Sequence, residues 1–139
     1  DREFTTIMFD RDFFKQDNDN YGHAGGDAVL ISFAQLLQQE ISSPNIVGRV
    51  GGEEFLAILY LSPDEAKEFC VKLIYKINHN FVDFEGTKIK ISSSGGVAFS
   101  TETKTSSDLI NKADERLYEA KKNGRNRFTL PNSELLGEK

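Results

Sequence analysis

The sequence predicts an α+β fold, with one central, mostly antiparallel sheet carrying helices on its faces. Three observations predict it. Segments with strand-like and helix-like apolar spacing alternate along the chain. Gly51-Gly52 separates two short apolar runs, and so short a link joins only antiparallel neighbours. The 139 residues, 38% hydrophobic and 28% charged, suit a single core.

Taken in order, residues 4–10 read as a short strand, apolar and β-branched, that ends at Asp10. Residues 11–26 are rich in Asp, Asn and Gly, which predicts a polar connection with at most a helical turn around Phe13 to Asp17. Val29, Leu30, Phe33, Leu36 and Leu37 then recur at helical spacing and predict a helix from Asp27 to Ile41, broken by Pro44-Asn45. Ile46 to Val50 and Phe55 to Leu61 read as the two strands of a hairpin around Gly51-Gly52, since both glycines accept positive φ without penalty. Ser62-Pro63-Asp64-Glu65 is a capping box that opens the next helix, with Phe69, Val71, Leu73, Ile74 and Ile77 as its apolar residues. Phe81 to Phe84 predicts a short strand, turning at Glu85-Gly86 into one long strand from Lys88 to Phe99. A helix follows from Ser107 to Lys122, Gly124 stops it, and Arg127 to Leu130 forms a last short strand. The tail over residues 131–139 has no clear pattern. This order fits a ferredoxin-like core with extra strands.

Composition narrows the partners. Lys and Arg total 17 against 22 Asp and Glu, a net charge of -5, which is a poor footprint for a nucleic-acid polymer but leaves room for a small phosphate ligand. Cys70 is the only cysteine, so no internal disulfide forms, in keeping with the cytosol; it sits on an apolar helix and reads as core. No apolar run approaches membrane-spanning length, and no signal-peptide pattern opens the chain. The chain enters its first strand almost at once after Asp1, so it is expected to be part of a longer protein whose sensor or regulatory domains lie upstream.

The residues able to carry chemistry gather around the predicted hairpin. Glu53 and Glu54 follow the paired glycines, which remove side chains and let a ligand approach the backbone. Should the end of the first strand lie near this tip, Asp10 and Glu53 form a cluster of hard oxygens of the kind Mg²⁺ prefers, completed by phosphate oxygens and water. On the residues alone the solvated reading is the stronger, since acids at strand ends and turns are usually just solvated. Asn18 and Asp27 offer the donor and acceptor groups that would read a guanine edge, or simply belong to a polar loop. Lys121 and Arg125 stand four apart at the end of the last helix, where they complement its dipole or hold a triphosphate. His23 reads as a turn residue, His79 has no ligand spacing, and Tyr118 is expected to pack.

Several motifs in order carry a resemblance. Arg49-Val50 precedes Gly51-Gly52-Glu53-Glu54-Phe55; upstream stand Asp10-Arg11-Asp12-Phe13-Phe14-Lys15, then Asn18-Asp19-Asn20-Tyr21-Gly22-His23 and Gly26-Asp27. Downstream come Ser94-Gly95-Gly96-Val97-Ala98, Ala113-Asp114, Leu117-Tyr118, Ala120-Lys121 and Gly124-Arg125-Asn126. Together, over residues 5–130, they resemble the GGDEF family of diguanylate cyclases, with the signature loop in its Glu-Glu form. The resemblance implies a nucleotidyl-cyclase or polymerase-palm type of sheet. It implies that two GTP condense into cyclic di-GMP with release of pyrophosphate, with Mg²⁺, or Mn²⁺ in its place, as cofactor.

Roles follow position by position. The side chains of Asp10 and Glu53 and the backbone carbonyl of Arg11 would ligate the metal. Asn18 and Asp27 would hydrogen-bond guanine, with Leu30 lining its pocket. Backbone amides near Phe13 and Phe14, with Lys15, Lys121 and Arg125, would hold phosphates. Glu53 or Glu54 would help activate the 3′-hydroxyl, and the sequence leaves open which. Each domain would hold one GTP, so catalysis would need a face-to-face homodimer. The domain would be cytoplasmic, with membrane anchoring of the full-length protein left open. Two other readings stand beside this one. The first is a catalytically inactive, GTP-binding regulatory module, against which the intact Asp10, Asn18, Asp27, Glu53 and Glu54 argue. The second is a mixed guanine–adenine product, against which Asp27 argues.

Three departures from the family pattern matter. Ser42-Ser43-Pro44-Asn45 stands where an inhibitory Arg-x-x-Asp is usual, so no tight product inhibition is expected there. Arg11 stands where an apolar residue is usual. The family's preceding helix and Asp-x-Leu-Thr-Gly-Leu-x-Asn-Arg segment are absent, so part of the guanine pocket wall is expected to be missing and this chain alone to be weakly active.

Overall fold

The first strand, β1 (Thr5–Arg11), is buried along its whole length. Such burial requires partners on both edges and cover on both faces. A computed structural model, which describes residues 2–137, shows how this is met. β1 pairs antiparallel with β3 (Glu54–Leu59) on one edge and with β6 (Ser93–Phe99) on the other. Beyond β3 lies β2 (Ile46–Gly51), and beyond β6 lie β7 (Arg127–Thr129) and β8 (Leu135–Gly137), giving the order β2-β3-β1-β6-β7-β8. Among the described residues only the β6–β7 pairing is parallel.

Alternation along β1 assigns the two faces. Ile7 and Phe9 enter the larger core, with Val29, Leu30, Phe33 and Leu37 of α1 (Phe14–Glu40) and Cys70, Leu73, Ile74 and Ile77 of α2 (Pro63–Asn78). Met8 points the other way, against Ala98 and against Leu109, Ala113 and Leu117 of α3 (Ser106–Lys122). Two helices thus cover one face and one covers the other, the α+β architecture that the alternation and the Gly-Gly link predict. Burial pushes the Cys70 thiol up to about 12, which leaves it an inert core residue.

The hairpin forms where expected, with Gly51 opposite Glu54 and the two-residue tip Gly52-Glu53 between them. Gly52 has φ 44, the left-handed conformation such a tip demands. A register shift between Arg49 and Gly51 makes Val50 the extra residue of a bulge. The capping box of α2 is present, the Glu65 amide donating to Ser62 Oγ at 3.3 Å and the Ser62 amide to Glu65 Oε1 at 2.9 Å.

Three expectations need correction. Residues 11–26 are not a loop: α1 begins at Phe14 and runs to Glu40, interrupted only at Gly22 (φ 73, ψ 175). Gly25 and Gly26 serve close packing across that elbow, since an added Cβ would stand 2.3 Å from Tyr21 Cβ and 1.7 Å from Asn18 Oδ1. The long strand from Lys88 to Phe99 is two strands: β5 (Thr87–Lys90) pairs with β4 (Phe81–Phe84) in a separate hairpin, and β6 joins the main sheet. The break falls at Ser92, whose carbonyl accepts from the Asp12 amide at 3.0 Å. The tail contains β8, which pairs with β7; residues 138–139 lie outside the described residues.

Gly96 sets the distance between α3 and the sheet, while Gly95, on the other face, leaves room for the Phe128 ring. A Cβ on Gly96 would lie 1.9 Å from the Ala113 carbonyl oxygen and 2.3 Å from the Leu117 nitrogen. Only glycine lets the helix backbone rest on β6. This close seat directs the C-terminal end of α3 to the end of β1.

Candidate active site

β1 ends in Asp10 and Arg11, and Asp12 follows it; all three are buried polar residues where a strand would ordinarily reach solvent. Each has a partner that explains its burial. Lys121, from the last turn of α3, makes an ion pair with Asp10 Oδ2, while Asp10 Oδ1 is buried with no hydrogen-bond partner. Asp12 accepts from Ser92 Oγ at 2.8 Å, Ser94 Oγ at 2.6 Å and the Asn126 amide at 2.8 Å. Arg11 reaches Asp17 of α1 at 2.8 Å, an ion pair rather than an aligned hydrogen bond, and donates to the Ser92 and Lys90 carbonyls at 3.4 and 3.3 Å. The charged residue in an unusual place therefore has its counter-ion six residues on.

The hairpin brings its acids to the same place. Asp10 lies opposite Glu54 in the β1–β3 register, one residue from the tip at Glu53. The Asp10 carboxyl is raised to about 6, by burial above all, with Lys121 lowering it and the negative charges of Glu53 and Glu54 raising it. Burial also lowers the Arg11 guanidinium and raises Asp17, each offset in part by the other's charge.

Opposite these acids stands a cationic edge. Phe13 has φ 63 and no side chain caps α1, so the helix presents unsatisfied amides at its start. After α3, Gly124, Arg125 and Asn126 all have positive φ (118, 63 and 51), and the Arg125 guanidinium lies 5.2 Å from the centroid of the Phe13 ring. A cleft of about 160 Å³ is lined by Asp10, Arg11, Asp12, Phe13, Phe14, Lys15, Glu53, Lys121 and Arg125. The expected metal and phosphate residues therefore share one wall. Among the described residues no three His, Cys, Asp or Glu side chains form a ready metal cage. An orphaned Asp10 oxygen beside Glu53, in a cleft that Arg11 also lines, supplies hard oxygens, which fits a divalent ion completed by ligand oxygens.

The expected guanine residues are placed less uniformly. Asp27 and Leu30 line a neighbouring cleft of about 320 Å³ with Ile31, Ala34, Arg49 and Phe55. Asn18 is not in its wall; its side chain lies over Gly26, with a buried, unpartnered Oδ1. A larger cleft, about 430 Å³, lies beyond Arg11 toward Lys88 and Lys90, and its wall includes neither Asp10 nor Glu53. His23 is exposed beside the Gly22 elbow, and Tyr118, expected to pack, is 66% exposed. Sequence reasoning missed Asp12, Asp17, Ser92 and Ser94. The signal for Asp17 was a charged residue at a strand end, which needs a counter-ion.

Fold and cleft define a domain in which acids face cations across one cleft at the end of a mostly antiparallel sheet. Residues 1–127 match the family described as diguanylate cyclase, GGDEF domain. The chain is 36% identical over 131 residues to diguanylate cyclase A of Treponema denticola, covering 93% of this chain and 35% of that protein. It superposes on diguanylate cyclase SiaD of Pseudomonas aeruginosa, solved in complex with its activator SiaC, with a TM-score of 0.87 at 32% identity, covering 93% of this chain and 50% of that one. The active GGEEF domain of a Vibrio cholerae diguanylate cyclase matches with a TM-score of 0.80 at 30% identity, covering 96% of this chain and 85% of that one. The chain belongs to the GGDEF domain family of diguanylate cyclases. It spans about a third of the length of the Treponema relative, 35%.

Proposed function

We propose that this domain condenses two GTP into cyclic di-GMP and two pyrophosphates, each domain of a face-to-face dimer supplying one nucleotide. The observation that carries this reading is the single cleft that holds Asp10 and Glu53 against Lys15, Lys121 and Arg125. The Glu-Glu form of the loop is the form named active in the Vibrio relative.

In this reading the carboxylates of Asp10 and Glu53 and the carbonyl of Arg11 hold Mg²⁺, or Mn²⁺ in its place. The ion, when bound, neutralises phosphate charge and lowers the pKa of the attacking 3′-hydroxyl. Lys121 gives up Asp10 and turns to the triphosphate, joined by Lys15, Arg125 and the free amides at the start of α1. Asp27 and Asn18 read the guanine edge, and Leu30 lines its pocket. Glu53 or Glu54 takes the proton from the 3′-oxygen, which attacks the α-phosphorus of the other GTP and expels pyrophosphate; the mirror-image step closes the ring. Alignment of two nucleotides across the dimer sets the rate. With Ser42 to Asn45 in place of an Arg-x-x-Asp motif, the product does not bind tightly at that turn.

The test is incubation of the domain, held as a dimer, with GTP and the metal, followed by assay for cyclic di-GMP. Glu53→Gln is expected to lower turnover about 100-fold or more while leaving the fold intact. GTP binding without any product would establish the regulatory alternative instead.

A further inference from the structure

We propose that Asp12 is a positioning residue for phosphate recognition, acting through the turn that carries Arg125. The inference rests on the reading above in one respect, that Arg125 holds phosphate.

Asp12 is 1% exposed. Both its oxygens are engaged by neutral donors, Oδ1 by Ser94 Oγ and Oδ2 by Ser92 Oγ and the Asn126 amide. One carboxylate thus ties together the end of β1, the start of β6 and the turn between α3 and β7. That turn places two consecutive non-glycine residues, Arg125 and Asn126, in the left-handed region. Such a conformation persists only where its surroundings impose it. Two bonds impose it here, the Asn126 amide on Asp12 Oδ2 and the Arg125 amide on the Ala120 carbonyl, at 2.9 Å. The conformation sends the guanidinium back over Phe13 and into the wall it shares with Lys121. Without Asp12 the turn is free to relax, and Arg125 loses its aim. Asp12 needs its acceptor oxygens for this, not its charge.

Calorimetric dissociation constants for GTP and for GMP, which lacks the outer phosphates, test the idea. Arg125→Ala is expected to weaken GTP about tenfold and leave GMP within about twofold, one charge-assisted contact being lost. Asp12→Ala should do the same, and added to Arg125→Ala it should cost less than about twofold more. Asp12→Asn should stay within about threefold of the parent, because its amide oxygen still accepts from Asn126 while its NH₂ meets the Ser94 hydroxyl. If Asp12→Ala lacks a cooperative melt, the double variant Ser92→Ala/Ser94→Ala replaces it, with GTP weakened roughly threefold or more, GMP unchanged and the loss absorbed by Arg125→Ala. Equal losses for GTP and GMP, additivity with Arg125→Ala, or an Asp12→Asn as weak as Asp12→Ala would overturn the proposal. An Arg125→Ala without effect on GTP would overturn the phosphate reading itself, whereas a normal Arg125 effect with an inert Asp12→Ala sinks the Asp12 proposal alone.

Discussion

Asp10 is a residue whose burial costs stability in order to keep an oxygen free. Its carboxyl is raised from 3.8 to about 6, mainly by burial, so the folded state resists ionising it. An acid raised in this way contributes stability below its unfolded value, and that contribution is lost as pH rises through the folded value. Asp10→Asn should therefore melt higher than the parent at pH 7 without metal, by on the order of 1 kcal/mol or about 4 °C. The gap should close below pH 4, where both carry a neutral group. Thermal melts from pH 4 to 7 check this. A variant no more stable at any pH would mean that the Lys121 ion pair fully compensates the burial. Arg11 shows the opposite arrangement, a buried cation held by Asp17 and two carbonyls.

At the scale of elements, α3 matters most, because its seat on β6 decides where Lys121 and Arg125 arrive. Gly96→Ala would drive a methyl into the Ala113 carbonyl, so it should destabilise by roughly 2–3 kcal/mol, about 10 °C in Tm, and weaken GTP binding with it. Denaturant melts and GTP titration of that variant check both. The hairpin, the capped α2 and α3 were legible because turn chemistry, caps and helical period are local signals. The start of α1 was not, because Gly, Asn and Asp disfavour helix locally; tertiary contact makes Gly25 and Gly26 an elbow against Tyr21 and Asn18. Nor was the break between β5 and β6, since nothing local marks Ser92 as the partner of Asp12, eighty positions away. β8 was missed because three residues in a tail carry no period of their own.

For the whole molecule, the residues proposed to hold metal and phosphate could be named from the order of their motifs, and they line one cleft, while the long-range contacts that hold them in place could not. In the proposed function each domain holds one nucleotide, so the account requires two copies to meet. Cyclic di-GMP formation should therefore rise with roughly the square of protein concentration at high dilution, and become first order when two domains are fused to a dimerising helix. First-order behaviour of the unfused domain at all dilutions would mean that one copy suffices. The most direct test of the central claim is a Mn²⁺ titration in the presence of GTP, followed by electron paramagnetic resonance, on the parent, Asp10→Asn and Glu53→Gln. The account predicts a Mn²⁺ site on the parent that each substitution weakens about tenfold or more. Unchanged Mn²⁺ affinity in both variants would contradict it.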